Sequence, residues 1–180
     1  GNVETSQHLV NALLSSLNVM SSSQGTMNNL TFGNKKYQYY ETICSGSPAG
    51  PDFHGTNAIQ VHMTNSRLTD PEILELKFPV ILKDFHIRVN SGGRGMYRGG
   101  DGTYREILFN EDMELAILSS HRKVKPHGLK GGDDGKLGKN YIIRKNKDKE
   151  ILKGCDYRKM YKGDTIVIET PTPGGYGKRK

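Results

Sequence analysis

The sequence predicts an α+β fold: an N-terminal helix followed by a strand- and loop-rich, mainly antiparallel β half. Three observations carry this. Residues 4–19 place Val10, Leu13, Leu14 and Leu17 at i, i+3, i+4 and i+7, the period of an amphipathic helix. Beyond residue 77, short runs of β-branched and aromatic residues recur between turn signals. The 22 glycines and 7 prolines interrupt the chain too often for long helices.

After the first helix, residues 21–29 (SSSQGTMNN) lack bulky aliphatics and read either as a flexible linker or as a loop of amide donors. The stretch 37–75 is the densest in chemistry. Tyr37 to Ile43 alternates as a strand, and residues 44–56 are too rich in Gly and Pro for a regular element. From Asn57 to Thr64, Ile59, Val61 and Met63 alternate with Gln60, His62 and Thr64, the pattern of a half-buried strand with His62 on its polar face. Thr69-Asp70-Pro71-Glu72 then offers an N-cap, a proline in the first turn and early acid, which start a helix over 70–76. Further strands are predicted at 78–82, 85–89, 104–109, 113–120, 141–143 and 165–169, with Asn110-Glu111-Asp112 as a turn. The chain divides into a motif-rich part, 1–76, and a β-rich part, 77–180, of one domain.

Composition narrows the function classes. Hydrophobic content is 34%, low for a self-sufficient globule. No apolar run approaches the roughly 18 residues of a membrane span, and no signal peptide opens the chain. Cys44 and Cys155 match no paired motif, so a reducing cytoplasm is the expected compartment, with Cys44 a small buried residue or a reactive thiol. Residues 1–120 carry 9 Lys/Arg against 12 Asp/Glu, and residues 121–180 carry 17 against 7. The basic residues of 144–149 alternate with acids as on a solvated hairpin, which argues against nucleic acid. The glycine run 91–102 lacks the Lys-Ser/Thr of a phosphate loop and the spacing of a dinucleotide fingerprint.

Two acid–base candidates stand out. Glu41 falls on the strand face of Tyr39 and Ile43, where a carboxylate needs a partner or a raised pKa. His62 is the other. Asn28, Asn29, Asn65 and Arg67 supply donors for a carbonyl or oxyanion, and His62, Asn65 and Arg67 are expected to share one cavity with Asn28 and Asn29. Asp52, His54 and His62 have no spacing that matches a known metal site.

Seven blocks, in this order, resemble the C-terminal part of the hydantoinase B/5-oxoprolinase family. They are Gly1-Asn2-Val3-Glu4-Thr5-Ser6-Gln7, Ser23 to Asn29, Tyr40-Glu41-Thr42-Ile43, His62-Met63-Thr64-Asn65-Ser66-Arg67, Ser91-Gly92-Gly93-x-Gly95, Arg98-Gly99-Gly100-x-Gly102 and Gly174-Gly175-Tyr176-Gly177. The chain departs from the family pattern at Ser45, Pro48, His54, Thr172 and Pro173. The resemblance implies the last third of a B-type region, here a fragment or subunit of an ATP-dependent cyclic-amide hydrolase that completes ring opening of an activated lactam. A non-catalytic module of such a complex, or of a related ketone carboxylase, is the alternative. ATP with magnesium is implied on a partner A-type region rather than on this chain, and a divalent metal in the upstream part of the B-type region. The implied partners are that A-type region, the upstream B-type part and a small cyclic amide, within an oligomer.

Overall fold

The computed structural model describes residues 3–179, so Gly1 and Asn2 of the opening block lie outside the described residues. Helix α1 (Val3–Ser16) opens the chain, and strands β1 (Asn29–Gly33) and β2 (Gln38–Glu41) follow it. Helix α2 (Pro71–Lys77) precedes β3 (Val80–Ile87), β4 (Thr103–Phe109) and β5 (Met113–Leu118). The chain then forms β6 (Lys139–Ile143), β7 (Lys149–Leu152), β8 (Cys155–Met160) and β9 (Thr165–Glu169). The strands make two antiparallel sheets, ordered β2-β1-β5-β8 and β3-β4-β9-β6-β7. The predicted α+β class, with a leading helix and a β-rich remainder, is what the chain adopts.

The two sheets share one core. Phe32 of β1 meets Phe109 of β4 edge-to-face at 5.2 Å between ring centroids. Leu30, Leu115 and Ile117 face Ile107, Ile142 and Ile166 in the same apolar cluster. Each such fully buried side chain contributes about 1.5–3 kcal/mol. Strand β1 lies between β2 and β5, so both parts of the chain supply this core. Asp70 caps α2 as the sequence suggests, accepting from the Glu72 N–H at 2.9 Å, and Leu74 anchors the helix in the core.

Several local expectations are corrected. Residues 57–64 form no strand; they are irregular, with one bridge from Ile59 to Ser45, and Ala58 and His62 take left-handed φ values of 49° and 56°. Their polar side chains are drawn instead to separate partners, Gln60 to Thr42 and Thr64 to Gln7. The segment 21–29 is no flexible linker, since every residue from Ser21 to Leu30 is buried. The two pieces at 78–82 and 85–89 are one strand, β3, irregular between Leu82 and Asp84. The turn expected at 110–112 does connect two strands, β4 and β5, and it links the two sheets. Strands β1, β7 and β8 escaped the sequence reading because they are short and, in β8, alternate charged residues on an edge.

Candidate active site

Helix α1 turns its polar stripe inward. Gln7, Asn11 and Ser15 are its buried residues, spaced four apart, while Leu9, Leu13 and Leu17 stay exposed. The stripe meets the buried strap 21–28, whose backbone has no ladder of its own and needs partners. The Gln7 amide donates to the Thr26 carbonyl at 3.2 Å, Asn11 Nδ2 donates to Ser22 Oγ at 3.0 Å, and the Ser23 N–H donates to Asn11 Oδ1 at 2.7 Å. Docking the helix in this way carries His8 over the strap and towards the end of β5.

There His8 and His121 flank Gly25. A side chain at Gly25, whose φ is +63°, would place Cβ 2.5 Å from His8 Cε1 and 3.0 Å from His121 Nε2, so only glycine lets the strap pass both rings. The rings lie 6.0 Å apart between centroids. They border a cavity of about 990 Å³ that also takes in Ser120, Arg122, His127 and Lys153.

Two groups in this cavity have defined chemistry. His121 Nδ1 lies 2.8 Å from the Val124 carbonyl oxygen. A carbonyl only accepts, so Nδ1 carries the proton and Nε2 keeps its lone pair. Burial pushes the His121 pKa down from its ordinary value, assisted by His8 and Arg122, which favours this neutral, basic imidazole. His8 Nε2 lies 3.2 Å from Ser120 Oγ, a second pair able to pass a proton. Behind them, Arg122 Nη1 donates to Asn28 Oδ1 at 2.8 Å and to the Ser120 carbonyl at 2.7 Å, and Nη2 donates to Asn140 Oδ1 at 2.6 Å.

The residues nominated from sequence are dispersed. Asn28 backs the cavity through Arg122, with its own amide donating to Gln24 Oε1 and the Ile43 carbonyl at 2.7 and 3.0 Å. Asn29 is spent on Glu4, the Leu118 carbonyl and Tyr40. His62 reaches Asn11 Oδ1 at 3.4 Å, one side chain behind the cavity wall, and burial lowers its pKa. Asn65 and Arg67 are exposed beside a different hollow, about 510 Å³, with Gln60, Leu68 and Phe85. The expected convergence of all five on one cavity therefore does not occur. Glu41 lies in the sandwich, held by Arg105 Nε at 2.7 Å and Nη2 at 2.9 Å, and accepts from the Tyr39 hydroxyl at 2.8 Å.

Among the described residues no group of three or more His, Cys, Asp or Glu is placed to hold a metal ion. The glycine run does not suit a nucleotide phosphate either. Ser91 and Gly92 N–H groups donate to Asp101 Oδ1, Gly93 to the Pro173 carbonyl and Gly100 to the Ser47 carbonyl, so these amides are already committed. No helix among the described residues is long and apolar enough to cross a membrane.

What these features define is an antiparallel two-sheet domain with a basic, histidine-lined cavity at one end. The chain belongs to the hydantoinase B/oxoprolinase family, whose model matches residues 1–179. It is 47% identical over 177 residues to 5-oxoprolinase 1 of Arabidopsis thaliana, covering 98% of this chain. It is 44% identical over 179 residues to 5-oxoprolinase of Dictyostelium discoideum, covering 99%. The chain spans 14% of the length of each. An ATP-dependent caprolactamase from Pseudomonas jessenii shares the fold, with a TM-score of 0.78 at 22% identity over 93% of this chain and 32% of that one.

Proposed function

We propose that this chain is a portion of an ATP-dependent cyclic-amide hydrolase of the 5-oxoprolinase or hydantoinase type, and that the His8/His121 cavity completes ring opening of the activated lactam. The observation that carries the reading is His121, a neutral imidazole whose Nδ1–H is tied to Val124 and whose Nε2 keeps its lone pair beside His8 and Gly25. In this scheme water attacks the ring carbon while His121 Nε2 takes its proton. The fixed charge of Arg122 stabilises the negative charge that develops. The carbonyl re-forms as the ring C–N bond breaks, and the departing nitrogen receives a proton through the Ser120–His8 pair. The acyl phosphate left behind is hydrolysed by a second water to carboxylate and phosphate. His62 and Asn28 act on the cavity at one remove, through Asn11 and Arg122. ATP and magnesium belong to the A-type partner region in this reading, and the committed glycine amides support placing them outside this chain.

A second reading has its own support. Glu41, Asn28 and Asn29 give their polar atoms to internal bonds, as in a module that shapes rather than performs chemistry. Turnover of the full-length protein separates the two. His121→Ala and His8→Ala should each lower ring opening by about 10²-fold or more while the variants stay folded. Near-normal turnover in both would leave only the structural module.

A further inference from the structure

The sheet β2-β1-β5-β8 packs its inner face on the second sheet and leaves its outer face open. The middle row across that outer face is Tyr40, Thr31, Ala116 and Tyr157, one residue from each strand. Leu118 and Cys155 lie on one side of the row, and the cross-strand pair Glu114 and Lys159 on the other. An antiparallel sheet that faces water normally turns polar side chains to that side. This one presents Tyr40 at 57%, Tyr157 at 56% and Leu118 at 44% exposure. Apolar surface gathered in this way marks an interaction site. Its relief says what fits. Two hollows of about 390 and 260 Å³ share Thr31 and Ala116, so they form one trough along β1 and β5. Small side chains make the floor, and the two tyrosines stand on the outer strands as walls, three strand spacings or about 14 Å apart. The Tyr40 hydroxyl donates to Asn29 Oδ1 at 2.6 Å, which fixes that wall in place.

We propose that this trough seats an α-helix from the remainder of the full-length polypeptide, lying along β1 and β5 between Tyr40 and Tyr157. A helix with its side chains is about 10–12 Å across, the width the walls leave. A second copy of the same face does not fit, because a two-fold contact would set trough against trough and leave a void between the floors. The amount of chain outside this fold supplies the occupant. This chain spans 14% of each 5-oxoprolinase it matches and 32% of the caprolactamase chain, so most of each of those polypeptides lies beyond the shared part. The trough also sets the chemistry of the helix. Uncharged small or apolar side chains lie over Thr31 and Ala116, and the tyrosine rings flank them with their polar tips outward. Charged contacts are confined to the end where Glu114 and Lys159 stand.

The surface is separate from the histidine-lined cavity, so this inference stands or falls independently of the ring-opening reading. Hydroxyl-radical oxidation of the unmodified full-length protein, read by mass spectrometry, tests whether the face is covered. Tyr40 and Tyr157 should oxidise at least about tenfold more slowly in the native protein than in urea, as side chains packed to interior density do. An open face would leave both within about twofold of the urea rate, since more than half of each residue already meets solvent, and that result overturns the covered face. Photo-crosslinking from Tyr157→p-benzoylphenylalanine in the full-length protein then identifies the occupant. Adducts are expected within one polypeptide, on residues outside these 180, recurring at the helical spacing of three and four. Adducts joining two copies of this face, reaching another protein or falling on a non-helical segment overturn the helix, as does the absence of any adduct.

Discussion

Glu41 and Arg105 meet where no water shares their charge, with side chains 3% and 2% exposed, and this pair sets the cost of error inside the sandwich. Removing one partner strands the other. Arg105→Met should destabilise the fold by about 3–5 kcal/mol in urea unfolding, whereas Glu41→Leu/Arg105→Met should recover most of that loss. A single variant as stable as the parent would mean the pair is not buried. Acid should find a different weakness. His62 and His121 are held below the ordinary imidazole value of 6.5 by burial, so the unfolded chain takes up protons first as the pH falls. Their contribution is therefore complete above about 6.5 and is lost progressively below it. Melting temperature should fall between about pH 7 and pH 5, and His62→Gln should flatten that slope. An unchanged slope would assign the acid sensitivity to other groups.

At the scale of elements, α1 shows what periodicity reveals and what it conceals. The spacing of Val10, Leu13, Leu14 and Leu17 announces a helix, and one is present. It does not announce the partner, and the partner is a strap rich in bare backbone groups, so the amide stripe faces in. Asn11→Leu should therefore cost about 1–3 kcal/mol by stranding the Ser23 N–H, while Leu13→Ser on the exposed face should stay within about 0.5 kcal/mol. Reversed costs would mean the helix docks by its leucines. The same blindness explains residues 57–64. Alternation there is real, but tertiary bonds from Gln60 to Thr42 and from His62 and Thr64 to helix α1 replace the strand ladder. The cavity was legible only in fragments. His121-Arg122-Lys123 directly follows the strand predicted at 113–120 and SQG is part of a motif, but His8 and His121 meet across 113 positions of sequence, beyond any local pattern.

For the molecule as a whole, the glycine-rich loops are one interlocked unit rather than a ligand cradle. A Cβ on Gly100 would stand 2.0 Å from the Thr56 carbonyl oxygen, so Gly100→Ala must push two loops apart and should destabilise the fold. Thermal melting as stable as the parent would show that the loops yield freely. On the opposite account, the basic hairpin is surface. Lys149 lies over the Tyr141 ring at 3.5 Å, and Arg144 is paired with Glu150 and Asp164, leaving the lysines no site to build. Reversing Lys145, Lys147 and Lys149 to Glu should change turnover of the full-length protein less than about threefold. The central claim is that the lactam is opened between His8 and His121, and its most direct test is a structure of the full-length protein with a five-membered cyclic amide bound. The account predicts the ring carbon within reach of a water held by His121 Nε2, about 3 Å from that water, with Asn65 and Arg67 distant. A lactam seated in the Arg67 hollow, or wholly outside this chain, would contradict it.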